Sequence, residues 1–235
     1  MIPMHPELSV VIISAGTSPW IKNIIKRCEL FSKDIIIVSN NQAFITERAN
    51  DSSSTTRWVF RNFKGYGNQK NFGASLAKFD WIVNLDDDEL PSHDLIDYLI
   101  AWKKPSGNTK ALRIRRINFC NRSAMAWGKW SEDYSVRIYH ASCRWDDKII
   151  HETLAVPKHA MEKIHWPLYH LTANRFHNYL EKTKGYRNKR ASSSDGKQYF
   201  GWSILKTLFS ALIYLEWLEG ANGLYLTMTR SFERN

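Results

Sequence analysis

Leu8-Ser-Val-Val-Ile-Ile-Ser14 and Asp34-Ile-Ile-Ile-Val38 are two short apolar runs rich in β-branched residues. Between them lie the turn residues Gly16, Thr17, Ser18 and Pro19 and then a stretch with helical patterning to about Leu30. Continuous apolar runs of this length, bounded by turn signals, read as buried strands. A strand, a crossover helix and a second strand at this spacing form a βαβ unit, whose strands are parallel and covered on both faces. The expected class is therefore α/β.

Asn40 to Thr56 is polar and Ser/Thr-rich and reads as a loop, followed by a short edge strand at Trp58 to Phe60. The spacing of Phe72 and Leu76 predicts a helix over Asn68 to Lys78. Asp80-Trp-Ile-Val-Asn-Leu85 reads as another buried strand, and Ser92 is placed to cap a helix running through about Trp102. Alternation at Leu112 and Ile114 predicts a strand over Ala111 to Phe119, with further strands at Ser135 to Tyr139 and Lys148 to Leu154. Past Trp166 the pattern turns helical, with a basic helix at Asn174 to Ser192, a linker at Ser192 to Gly196 and a very apolar last segment. The expected division is an α/β domain over residues 1–170 and a helical extension over 171–235.

Composition narrows the function classes. An aromatic share of 13% and 43% hydrophobic residues exclude a disordered chain. With 33 Lys and Arg against 23 Asp and Glu, the net charge is +10, so an anionic partner is expected: nucleic acid, nucleotide phosphates or a membrane surface. The three cysteines, Cys28, Cys120 and Cys143, follow no disulfide or zinc spacing and fit a reducing compartment, the cytosol. The apolar run Leu8 to Ile13 follows Glu7 rather than a basic region, so a strand is expected there and not a secretion signal. Lys206 and Glu216 interrupt the run Tyr199 to Leu218, which argues against a spanning helix.

The informative segment is Asp86-Asp87-Asp88-Glu89, directly after the Asp80–Leu85 strand. Four adjacent carboxyl groups repel one another, and a divalent cation resolves that repulsion. In open α/β sheets ligands gather at the carboxyl ends of strands, which is where this cluster falls. On spacing alone the run is equally a solvated acidic loop that caps the next helix.

The run Leu85-Asp-Asp-Asp-Glu89 resembles the DxD segment of family 2 glycosyltransferases of the GT-A fold. The resemblance spans about residues 7 to 160 and implies a Rossmann-like, mixed and mainly parallel sheet flanked by helices. Gly65-Tyr-Gly-Asn-Gln-Lys-Asn71 and Asp80-Trp81 resemble the branch that includes lipopolysaccharide-core glucosyltransferases, as does Leu218-Glu-Gly-Ala-Asn-Gly-Leu224 more weakly. By that resemblance Asp86 and Asp87 touch the nucleotide sugar, and Asp88, with Asp86, holds Mg²⁺ or Mn²⁺ against the diphosphate. Lys70 and Arg137 add positive charge at the donor. Trp130-Ser-Glu-Asp-Tyr-Ser-Val-Arg137 resembles the ED motif, whose aspartate, here Asp133, takes the proton of the acceptor hydroxyl. The pair His151-Glu152 follows Trp145 as in the same branch, which offers His151 as a metal ligand and Glu152 as the competing base.

The implied activity is an inverting transfer of a sugar from a nucleotide-diphosphate donor, a UDP-sugar, to a glycan or glycolipid acceptor. Seven basic residues over 175 to 197, ahead of the apolar run, suit docking on an anionic membrane surface, which implies a cytoplasmic protein peripheral to the inner face of the cell membrane. The chain departs from the family at Ala15-Gly16, where Asn-Glu is usual, and at Ser39-Asn40-Asn41, where an Asp is usual; Asn40 and Asn41 remain as hydrogen-bonding groups for the nucleobase. Two other classes compete: a basic nucleic-acid-binding module, which leaves the acidic cluster unexplained, and a metal-dependent nuclease or phosphoryl transferase, which lacks a P-loop.

Overall fold

A computed structural model describes residues 6–48, 54–120, 123–125, 132–149 and 152–173. The basic helix, linker, apolar segment and glycine-bearing turn expected past residue 173 lie outside the described residues, as does His151. The described strands are β1 (Leu8–Ser14), β2 (Ile35–Ser39), β3 (Thr56–Phe60), β4 (Trp81–Asp86), β5 (Glu89–Pro91), β6 (Ala111–Cys120), β7 (Ser123–Ala124), β8 (Tyr134–His140) and β9 (Met161–Ala173). The helices are α1 (Ile21–Cys28), α2 (Gln42–Arg48), α3 (Tyr66–Ser75) and α4 (His93–Ile100).

The sheet runs β3-β2-β1-β4-β8-β6-β9-β5, with β7 on β6. The pairs β2–β3, β1–β2 and β1–β4 are parallel. At β8 the direction reverses, and β4–β8, β6–β8 and β6–β7 are antiparallel. This is the mixed α/β class expected from the sequence. Two compact units divide the chain, one of residues 1–116 and 134–169 and the other of 117–133 and 170–235. No helix among the described residues is long and apolar enough to cross a membrane.

In the first unit the period of two along each strand sorts its residues onto two faces. Leu8, Val10 and Ile12 of β1, Ile35 and Ile37 of β2, and Trp81, Val83 and Leu85 of β4 join one core with Ile21, Ile24 and Ile25 of α1 and Leu95, Ile96 and Leu99 of α4. The alternate residues Val11, Ile13, Ile36, Val38 and Ile82 join a second core with Ala74 of α3, Tyr139 and Trp145. Burying one such aliphatic side chain contributes about 2 kcal/mol, so a strand apolar on both faces is stable only with cover on both. At the amino ends of the strands, Asp34 is buried to 1% exposure and accepts from Ser9 Oγ at 2.6 Å, Arg57 Nη2 at 2.6 Å and the Lys78 amide at 2.8 Å.

Four sequence expectations change. The loop expected over Asn40 to Thr56 contains α2, because the Asn41 side chain caps it by accepting from the Phe44 amide at 3.1 Å, and Phe44 and Ile45 are buried. The strand expected over Lys148 to Leu154 reduces, among the described residues, to a single bridge between Trp145 and Leu154. There the backbone turns back on itself through Asp146 N to Thr153 O at 3.0 Å and Ala155 N to Arg144 O at 2.9 Å. The helical character expected past Trp166 is replaced through Ala173 by β9, and Ile164 and Leu168 on one side of it pack in the first core. Finally, β5 was not anticipated, being three residues long and ended by a proline.

Ser92 caps α4 as expected, its Oγ accepting from the Leu95 amide at 3.1 Å in a site only 1% exposed. Ser92→Ala should lower stability by about 1 kcal/mol, measured by urea unfolding.

Candidate active site

The register of the parallel strands brings their carboxyl ends to one edge. Ser14 stands beside Ser39, Ser39 beside Phe60, and Ile13 beside Asp86. Chain leaving β4 enters a turn at Asp87 and Asp88, and Glu89 opens β5. The acidic cluster thus sits where α/β sheets collect ligands.

The four carboxylates have separate surroundings. Glu89 is fully buried, and Arg137 grips it with a two-pronged contact, Nε to Oε2 and Nη2 to Oε1, each 2.6 Å. Glu89 also accepts from Arg116 Nη1 at 3.3 Å and from the Asp86 amide at 3.1 Å. Arg137 Nη2 reaches Asp86 Oδ2 as well, at 2.7 Å. Planar guanidinium suits this geometry, which a lysine could not reproduce. Burial acts against the Arg137 charge, but Glu89 foremost, then Asp86 and Glu152, outweigh it and hold the guanidinium above its usual range. Arg137 and Arg116 therefore offset, at Asp86 and Glu89, the repulsion that the sequence implied.

Asp87 turns toward the β1–α1 loop, where its Oδ2 accepts from Ser14 Oγ at 2.6 Å and its carbonyl accepts from Ser18 Oγ. The same Ser14 Oγ accepts from the Gly16 amide at 2.9 Å. Gly16 has φ +82°, and a Cβ there would stand 2.8 Å from Phe44 and 3.0 Å from Asn41 Nδ2. The two departures from the family pattern, at Gly16 and at Asn41, therefore fit against each other. Asn41 uses its side-chain oxygen to cap α2, and Asn40 is exposed.

Asp86 and Asp88 are both part-exposed, and Asp86 closes β4 two residues before Asp88. Two hard carboxylates in one turn are the donor set Mg²⁺ or Mn²⁺ uses when substrate phosphates and water complete the shell. The residues present fit such a cation in that way. Among the described residues no three His, Cys, Asp or Glu side chains gather into a cage.

Lys70 is not the solvated helix lysine its sequence position allows. It is 2% exposed, its ammonium pairs with Glu152 Oε1, and it lies 4.4 Å over the Trp145 ring. Glu152 in turn acts electrostatically on Arg137. The first unit thus brings Asp86 to Arg137, Asp87 to Ser14 and Lys70 to Glu152, with Asp88 next to Asp87 in the turn after β4. Asp133 belongs to the second unit. There its Oδ2 accepts from Asn118 Nδ2 at 3.0 Å, and Asn118 Oδ1 lies 2.6 Å from His170 Nδ1. An amide oxygen only accepts, so His170 carries its proton on Nδ1 in this contact. Glu89 stood in the acidic run without a role of its own, and Arg116, Asn118 and His170 were missed in the sequence, since none of these three lies in a motif that marks it.

Breaking the buried pair should be costly. Glu89→Gln is expected to lose about 3–5 kcal/mol, and joint replacement of Glu89 and Arg137 by Met to recover part of that, both read by urea unfolding.

The family model for glycosyl transferase family 2 matches residues 9–164. An uncharacterized glycosyltransferase of Rickettsia bellii is 29% identical over 98 residues, which are 40% of this chain and 33% of that protein. The chain thus spans about a third of that relative's length. The mannosyltransferase PcManGT from Pyrobaculum calidifontis, solved with GDP-Man and Mn²⁺, superposes with a TM-score of 0.51 at 13% identity, over 97% of this chain and 75% of that one. S. aureus TarS 1–349 in complex with UDP-GlcNAc gives a TM-score of 0.39 at 14% identity, over 50% of this chain and 36% of that one. The Pyrobaculum likeness is one of fold. Because the family match takes in well over half of the sequence, the chain belongs to glycosyl transferase family 2.

Proposed function

We propose that the protein transfers a sugar from a nucleotide-diphosphate donor, a UDP-sugar, to a hydroxyl of a saccharide acceptor with inversion at the transferred carbon. The observation that carries this reading is the pair Asp86 and Asp88 at the carboxyl end of β4, in a chain of family 2. In support, the Pyrobaculum neighbour of the same fold was solved with GDP-Man and Mn²⁺.

Asp88, with Asp86, would hold Mg²⁺ or Mn²⁺, with His151 a further candidate ligand. Bound there, the cation supplies Lewis-acid stabilisation of the departing diphosphate. Asp87 holds the β1–α1 loop against the donor edge through Ser14. Arg137 keeps Asp86 in place and adds positive charge beside the phosphates. Asp133 is the proposed general base, held by Asn118, and takes the proton of the attacking hydroxyl. Glu152 is the second candidate for that role.

The acceptor we propose is lipid-linked, a lipopolysaccharide core or related surface glycan, as the resemblance to the core glucosyltransferase branch implies. The basic residues over 175–197 support this reading, since they would place the enzyme on an anionic inner membrane face.

A UDP-sugar with Mn²⁺ should raise the melting temperature of the protein, and Asp88→Asn should abolish the metal-dependent part of that rise. No response to UDP-glucose, UDP-galactose, UDP-GlcNAc or GDP-mannose would remove the transferase reading. Flotation of the full chain with phosphatidylglycerol vesicles should weaken steeply from low to high salt, because screening shortens the reach of surface charge to about 8 Å at physiological ionic strength. Flotation that ignores salt would remove the membrane assignment.

A further inference from the structure

The stretch Gly65-Tyr-Gly-Asn-Gln-Lys-Asn71 does something its sequence does not suggest. It opens α3, and three of its residues fasten the backbone segment that runs from Arg144 to Ala155. The side chain of Asn71 clamps Trp145 from both sides, Nδ2 donating to the Trp145 carbonyl at 2.9 Å and Oδ1 accepting from the Trp145 amide at 3.0 Å. Gly67 lets the helix touch that segment, since a Cβ there would lie 2.0 Å from the Asp146 carbonyl oxygen. The Tyr66 amide donates to the Ile149 carbonyl at 3.4 Å. The segment also closes on itself, the Thr153 amide donating to Asp146 Oδ1 at 3.0 Å. None of these contacts with α3 is an ion pair, and within the segment Asp146 also pairs with Lys148 at 2.8 Å.

Lys70 then adds something the clamp does not need. A buried ammonium costs several kcal/mol of lost hydration, and a buried ion pair is on average no more stabilising than two well-packed apolar side chains. What the pair does determine is where one charged oxygen points. Lys70 Nζ engages Glu152 Oε1, the Trp145 ring lies under the ammonium at 4.4 Å, and the Glu152 side chain is 14% exposed. Among the described residues Oε1 is the only oxygen of Glu152 with a side-chain hydrogen bond, which leaves Oε2 directed by that contact. Glu152 also lies within electrostatic reach of Arg137, which itself holds Asp86.

We propose that Lys70 is a positioning residue for Glu152 and not a contact of the donor diphosphate. By fixing Oε1 it presents Oε2 to a hydroxyl of the reacting sugars. The inference rests on the transferase reading above and deepens it. A sugar hydroxyl is the shared chemistry. It can belong to the transferred sugar, which Glu152 would then help to bind, or to the acceptor.

The test is a double-mutant cycle in the full chain, with Lys70→Met, Glu152→Gln and the double variant. Each is measured for donor Kd with Mn²⁺ present, for kcat of donor hydrolysis or transfer, and for melting temperature. Glu152→Gln keeps the shape of the side chain and guards against a variant that simply fails to fold. A misplaced reacting group costs about 10²-fold, so either single change should lower one quantity by about that factor, and the double variant should lose no more than the worse single. Loss in donor Kd assigns the hydroxyl to the transferred sugar, and loss in kcat at unchanged Kd assigns it to the acceptor; both support the proposal. If Lys70→Met weakens the donor further in the Glu152→Gln background, Lys70 touches the donor and the proposal is overturned. It is equally overturned if the cycle couples in melting temperature alone while Kd and kcat stay at the wild-type values. A wild-type chain that binds and turns over none of the four donors named above removes the transferase reading and this inference with it, an outcome distinct from the other two.

Discussion

A carboxylate removed from water is tolerable only if cations and hydrogen-bond donors enclose it, and Glu89 is enclosed on every oxygen by Arg137, Arg116 and the Asp86 amide. Arg137 comes from β8 and Glu89 from β5, while Asp86 closes β4. With Arg116 from β6, one ion cluster therefore joins four strands around the point where the sheet changes from parallel to antiparallel. The same cluster fixes how Asp86 leaves its strand, so the geometry of the acidic turn depends on it. A site proposed to receive a diphosphate would gain from groups whose positions are set before the ligand arrives.

The two ends of the parallel strands carry different polar devices. At the amino ends, Asp34 is closed off by Ser9, Arg57 and the Lys78 amide, and its interactions are internal to the fold. At the carboxyl ends, Ser14 and Asp87 join the first loop to the acidic turn, and Asp86 and Asp88 remain part-exposed. Hydrophobic alternation on both faces fixes the sheet, and these polar contacts close off the carboxylate at the amino end while leaving Asp86 and Asp88 part-exposed at the other. The altered loops of this chain belong to that second end. Gly16, Phe44 and Asn41 pack closely enough that a larger residue at position 16 would displace them.

Much of the fold was legible because it depends on local pattern. β1, β2, β4 and the α4 cap are carried by β-branched runs and by one serine at the right offset, and each formed within a residue or two of its expected place. The acidic cluster was legible for the same reason: it lies next to a strand in the chain. α2 was hidden because only two of its residues, Phe44 and Ile45, are buried apolar groups inside a polar stretch, and β9 because Pro167 stands in its middle, where a strand rarely holds a proline.

By itself the sequence determined the α/β class, the position of the carboxylates at a strand end and the family motifs, since these are properties of neighbours in the chain. Only the tertiary structure decided what each charge touches. Arg137 meets Glu89 across 48 positions, Asp87 meets Ser14 across 73 and Lys70 meets Glu152 across 82. No local period encodes such pairs, because they form where strands from distant parts of the chain come to lie side by side, and burial then makes leaving any one of those charges unmatched too costly.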